Sequence, residues 1–473
     1  MNEDARDRDI DEDDFREAIK RFNIMVENET SDYFDVFEVE GIIDHFLEEG
    51  EILLAHQAVE TGMKIHPGAI SIQIRKAQVL MHEGNLEECL DLLTVAEKIE
   101  TTNPDLYLTK GAALNLLGDV NEAIIAYEHA LLMPLDEIDE TLYNIGISFG
   151  QAGETHLAIK YLEKAYQSNP DNEIVLYELG YYYDRDSQFE NSIELYNKYL
   201  DIDPFNHSVW YNIGITYNRL GKFDKAIEAY DFALALNDEF LHAHFNKANA
   251  LANNNQFEEA IICYNEYMLL DKDNDDAFCY LAECYLNNDN YSEALVNYQK
   301  AIRLNDKNSS AWYGSGLIMW SEGQLVEAKT FFKNAIRLEE DNADFWSMIA
   351  RVHAELNEVK EAVASFEMAS SLEPENIENW LSYSEMYYDM DDTDKAIKIL
   401  RTANKTNKSN AYLDYRLTAY LLDKNEELEA ACHFERALKI DFSKSSELFE
   451  FYPEALKIES IKKLISQYQS TKL

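Results

Sequence analysis

The residue types that could hold a metal are the first to weigh. Asp271, Asp273, Asp275 and Asp276 form a carboxylate run with the look of a calcium loop. Such a loop needs Gly at its sixth position for the turn and a bidentate Glu at its twelfth. Those places hold Asp276 and Ala282, so the run reads as a solvated linker. His242 and His244 stand two apart and leave a helix in different directions, which is poor geometry for one metal. The five cysteines, Cys89, Cys263, Cys279, Cys284 and Cys432, are odd in number and lack CxxC spacing. No disulfide framework is indicated, and most of them read as buried small side chains. The sequence has no G-x-S-x-G, Walker or H-E-x-x-H motif. No enzyme, cofactor or metal site is expected.

What remains is recognition chemistry. Tyr143, Asn144, Tyr177, Tyr181, Tyr211, Asn212, Asn218, Phe245, Asn246 and Asn249 recur at related places in successive segments. Aromatic rings offer large, rigid contact area, and an Asn amide can both donate to and accept from a peptide backbone whatever its sequence. A stripe of both suits an extended polypeptide. The competing reading is that the rings pack between helices and the amides serve the fold.

The elements that must carry this stripe are set by a period of 34. Stepping by that length from Ala226 reaches Ala260, Ala294, Ala328, Ala362, Ala396 and Ala430, and backward Ser192 and Ala158. Repeats counted this way begin near Val36, Ile70, Pro104, Asp139, Glu173, His207, Leu241, Asp275, Ser309, Ala343, Ile377 and Ala411. The step from Pro104 to Asp139 is one residue longer, which predicts a kink between hairpins. Position 8 of each repeat is small through the middle of the array (Gly111, Gly146, Gly180, Gly214, Ala248, Ala282, Gly316, Ala350). Position 24 is bulky: Tyr127, Leu162, Tyr196, Tyr230, Tyr264, Tyr298, Phe332 and Phe366. Small against large at one crossing lets two helices approach closely. Gly118, Gly153, Gly221 and Gly323 at position 15, with Asn255 and Asn288 at or beside it, mark the turn inside each hairpin. Positions 4, 7, 8 and 11 of the first helix are then buried. Positions 2, 5, 6, 9, 12 and 13 line the other face, which is where the recognition stripe falls.

The fold expected is all-α, an α-solenoid of antiparallel helix pairs with terminal capping helices. Residues 1–35 read as an acidic leader and an amino-terminal cap, 36–444 as the array and 445–473 as a carboxyl-terminal cap. The amino-terminal cap is a helix from Asp14 to Glu27 with Phe15, Ala18, Ile19, Phe22 and Val26 on one face. The other is a helix from Glu454 to Gln469 with Leu456, Ile461, Leu464, Ile465 and Tyr468 along one side.

Trp210, Ile213, Gly214 and Tyr217, followed by Ala226 and Tyr230, resemble the W-x2-L-G-x2-Y, A-x3-F signature of the tetratricopeptide-repeat family. The resemblance covers nearly the whole chain. It implies a right-handed superhelix that binds protein segments. Asn144, Asn212 and Asn246 match the position-6 Asn of the family's long asparagine-bearing arrays, such as that of O-linked N-acetylglucosamine transferases, but no transferase domain follows. Another branch clamps the carboxyl terminus of heat-shock chaperones with a Lys at position 5, and here position 5 is never Lys or Arg.

Asp and Glu number 90 against 41 Lys and Arg, a formal charge of -49. Such a field repels phosphate backbones and anionic membranes. Partners are therefore expected among proteins or peptides, not nucleic acid or membrane. The acidity either selects a basic partner or only keeps the chain soluble, and composition leaves both open. A charged amino terminus and the lack of long apolar runs lead to a cytoplasmic expectation. The function expected is a non-catalytic scaffold with an extended segment in its groove. A self-assembling structural protein and a peptide-sensing regulator are the alternatives.

Overall fold

Two helices per repeat follow from the small-against-large crossing. An ideal Cβ built at Gly111, Gly180, Gly214 or Gly316 would come within 2.5 to 2.7 Å of the ring at position 24 of the same repeat, Tyr127, Tyr196, Tyr230 or Phe332. All four rings are buried. Burying each is worth about 2–3 kcal/mol, and at these four crossings an added Cβ would have to displace the ring. The alanines and Ser192 that mark the 34-residue period are wholly buried.

The computed structural model describes residues 12–135 and 137–471. The acidic leader expected ahead of the first helix lies, as far as Asp11, outside the described residues. Among the described residues there are 27 α-helices and no strand. The chain divides into two compact units, Met1–Asp238 and Glu239–Leu473. In the first unit the hairpins' first helices are Val36–Glu48, Ile70–His82, Pro104–Leu116, Ile138–Gln151, Glu173–Arg185 and His207–Arg219. In the second they are Leu241–Asn253, Asp275–Asn287, Ser309–Ser321, Ala343–Glu355, Ile377–Asp389 and Ala411–Asp423. Each is followed by an antiparallel partner, such as Phe223–Leu236 or Phe257–Leu270.

Every hairpin turns on one left-handed residue at position 15. Gly50, Gly84, Gly118, Gly153, Gly221 and Gly323 take positive φ there, and so do Ser187, Asn255, Asp289, Asn357, Asp391 and Asn425. The turn expected beside Asn288 is made by Asp289, because Asn288 closes the helix at φ -98° and the next residue reverses the chain.

Two polar ties that the sequence reading did not name join successive hairpins. Asn at position 34 caps the following helix: Asn172, Asn206, Asn274 and Asn308 each accept from backbone N–H groups of its first turn. Trp at position 4 donates its indole N–H back to the preceding linker, from Trp210 to Pro204 O at 3.1 Å, Trp312 to Asp306 O at 2.9 Å, Trp346 to Glu340 O at 2.8 Å and Trp380 to Pro374 O at 2.9 Å.

At the start of the first unit the helix Glu12–Glu27 packs Ala18, Phe22 and Met25 into the core, with Phe22 against Phe34 and Phe46. At the end of the second unit, Ser446–Phe451 and a 3-10 turn at Pro453–Lys457 precede the helix Glu459–Thr471. That turn corrects the expected helix start at Glu454. It buries Ala455 and leaves Leu456 55% exposed, while Ile461 docks on the last hairpin.

Candidate functional site

The linker after the third hairpin shapes the site. The second helix there, Val120–Ala130, has 11 residues where Thr155–Ser168 has 14. The step to the next hairpin is thus made by a longer linker. Polar bonds reach across it. Asn115 Nδ2 donates to Ser148 O at 2.7 Å and to Ser148 Oγ at 3.1 Å, and Tyr127 OH donates to the same hydroxyl at 2.7 Å. Beside these bonds opens a cleft of about 620 Å³ lined by the first helices of three consecutive hairpins. Gln78, Met81, Asp105, Leu108, Thr109, Ala112, Thr141 and Asn144 contribute to it. A second cleft of about 480 Å³ adjoins along the next junction and takes in Tyr143, Asn169, Asn172 and Ile174. Glu137 and Glu140 line both.

Of the ten residues of the stripe, Asn144 and Tyr143 therefore belong to neighbouring clefts of the first unit. Asn144 is exposed, and Tyr181 stays 44% exposed with its ring edge-on to Tyr182 at 5.2 Å. The position-5 rings are half-buried in the seams. Tyr177 lies 6.2 Å from Tyr196 and 6.3 Å from Tyr199, and Tyr211 lies 5.9 Å from Tyr230. Asn212 pairs with the hydroxyl of Tyr196, and Asn218 is half-buried. In the second unit Phe245 packs on Tyr264, Tyr267 and Tyr280 at 5.3 to 6.0 Å. Asn249 accepts from Tyr264 OH, and Asn246 is half-buried. Burial raises the Tyr143 and Tyr211 phenols above their ordinary value, so both are neutral donors near pH 7.

The carboxylate run spans a linker, at Asp271 and Asp273, and the first turn of the next helix, at Asp275 and Asp276. Asp275 accepts from Asn305 at 2.9 Å and Asn308 at 2.7 Å, and Asp271 from Tyr267 OH at 2.9 Å. Among the described residues no group of three or more His, Cys, Asp and Glu side chains is placed to hold a metal. Four cysteines are buried, and burial pushes the Cys89 thiol up to about 11 and those of Cys279 and Cys284 up to about 12, whereas Cys432 is exposed. Among the described residues no helix is long and apolar enough to cross a membrane.

Helical hairpins in series, with a partly exposed stripe on their first helices and clefts between them, define a repeat protein of the interaction-scaffold class. Profiles of the tetratricopeptide repeat match residues 104–136, 143–207 and 207–240. The profile of the cilia and flagella-associated protein 70 C-terminal domain matches residues 234–448. The chain belongs to the tetratricopeptide-repeat (TPR) family. It is 35% identical over 86 residues to the photosystem I assembly protein Ycf3 of Prochlorococcus marinus (strain MIT 9301), which is 18% of this chain and 49% of that protein. The chain thus spans about half the length of the curated relatives it matches. It is also similar to the crystal structure of YrrB, described as a TPR protein with an unusual peptide-binding site (20% identity, 39% of this chain, 95% of that one, TM-score 0.34). Yeast Tom70 aligns at 14% identity over 92% of this chain and 98% of its own, with a TM-score of 0.42.

Proposed function

We propose that the exposed first-helix stripe holds an extended segment of a partner protein, of basic character, and that the chain works as a scaffold without catalysis. The observation that carries this reading is the pair of adjoining clefts between Gln78 and Ile174, lined by backbone-pairing amides and hydroxyls beside apolar side chains. An extended chain can pair its N–H and C=O groups with Gln78, Thr141 and Asn144 while its side chains fill the space between hairpins. The stripe read from the sequence runs from Tyr143 to Asn249. The clefts favour a centre nearer the amino terminus.

The half-buried position-5 rings are poor test sites, since truncating Tyr177 or Tyr211 would open a seam. Asn144 and Tyr181 are better because they are exposed. In the variant Asn144→Ala/Tyr181→Ala, partner recovery by affinity purification should fall about ten-fold or more, as expected for losing an aromatic anchor and a backbone-pairing amide. Helical content should be unchanged. Undiminished recovery of every partner would remove the stripe as the site.

A further inference from the structure

The feature the function above does not use is the acidic pair between the two clefts. Glu137 precedes the helix Ile138–Gln151 and Glu140 stands in its first turn, and both are exposed. Carboxylates are ordinary company for a helix amino terminus, whose dipole favours negative charge. The dipole does not account for their pairing. Their carboxyls lie close together: the hydrogen bond to Glu137 that Glu140 can make when protonated, slight burial and the charges of Glu137 and Asp139 raise Glu140 above its ordinary carboxylate value. Asp139, between them in sequence, is turned to Asn169 at 2.9 Å and Asn172 at 3.2 Å. Lys110, the lysine of the neighbouring first helix, is bound to Glu97 at 2.7 Å. Among the described residues no ion pair engages Asp105, Glu137 or Glu140. Among the described residues, negative charge is therefore concentrated at the passage between two clefts and no cation is paired with it.

We propose that Glu137 and Glu140, with Asp105 lining the same cleft, seat one arginine or lysine side chain of the bound segment and so fix its register along the trough. The inference rests on the reading of the trough given above. The occupant follows from complementarity. Two adjacent carboxylates match the fork of a guanidinium or the three donors of an ammonium. The apolar stem of such a side chain has Met81, Leu108 and Ala112 to lie against in the 620 Å³ cleft. A bare metal ion fits less well, because these carboxylates are not among any metal-holding group in the described residues. The overall charge of -49 draws in basic segments at long range without choosing a register. The pair adds the choice.

The test is selection from a random-peptide phage library on the full chain, on Glu137→Gln/Glu140→Gln and on Asn144→Ala/Tyr181→Ala. Glu to Gln keeps the shape of exposed side chains, and circular dichroism checks that helicity is kept. The parent should enrich peptides with Arg or Lys at one fixed position. The best synthetic peptide should bind the Glu137→Gln/Glu140→Gln chain about ten-fold or more weakly. Replacing its basic residue with citrulline should cost a similar factor on the parent and little on that variant. Peptides with no basic preference, or equal affinity for both chains, would overturn the subsite. If Asn144→Ala/Tyr181→Ala still weakens those peptides, the trough reading stands without it. If peptides bind that variant undiminished, or none is enriched, both readings fall.

Discussion

Gly214 and Tyr230 contain the packing logic of the whole chain in one contact. A Cβ on Gly214 would sit 2.5 Å from the ring, so the two helices cross where the side chain is missing. Ala248, Ala282 and Ala350 hold the same position, so a hairpin can be built around a methyl group. A branched side chain is a sharper probe. Gly214→Val should cost about 1–3 kcal/mol through overpacking. Native-state hydrogen exchange will read this as lost protection in residues 207–236 with distant hairpins little changed, because solenoid stability is local. Unchanged protection there would contradict the crossing. These small positions were legible in the sequence because packing dictates their size. The fate of the position-5 rings was not. Position 5 borders the buried stripe, so whether Tyr177 faces the seam or the trough depends on neighbouring rings such as Tyr196 and Tyr199.

The last hairpin is held by an element-level device that period counting passed over. Asp414, at position 4 of Ala411–Asp423, is wholly buried where Trp stands in four other repeats. It accepts from His433 at 2.8 Å and from Arg436, both on Glu427–Ile440, and from Asn404 of the preceding hairpin at 3.2 Å. Burial alone would raise its carboxyl, but the bonds from His433 and Arg436 outweigh burial and hold it below the ordinary 3.8. As pH falls below that value the unfolded chain takes up the proton first. The stabilisation is thus complete above about pH 4 and lost as pH drops through the depressed value. Asp414→Asn should cost the last hairpin about 3 kcal/mol at neutral pH by breaking a buried charge pair. The gap between parent and variant, read by hydrogen exchange in residues 411–440, should narrow only once pH falls below about 4. A gap constant with pH would show that the carboxylate's charge is not what matters. A sequence pattern could not reveal this network, because its members come from three helices and only Asp414 departs from its position's usual residue.

At the scale of the molecule, the repeat was readable because one packing solution recurs every 34 residues, whereas the larger cleft borders a departure from it. The longer step after Pro104 was visible as a count. What lines the cleft beside it, Gln78 and Thr109 with Asn144 and the Glu137–Glu140 pair, was not. Two glutamates among 90 acidic residues give no signal until the fold sets them at a passage between clefts. The Asn residues were noticed for their chemistry, yet the Tyr hydroxyls of position 24 engage two of them, Asn212 and Asn249. On the function proposed above, recognition then falls to the exposed members of the stripe. Site-specific photocrosslinking in native extract tests this most directly, with p-benzoylphenylalanine placed at Tyr181 on a first helix or at Ile125, 60% exposed on a second helix. The account predicts that a protein partner is captured from position 181, that excess of a trough-binding peptide suppresses the capture, and that position 125 gives none. Capture from position 125 alone would contradict it.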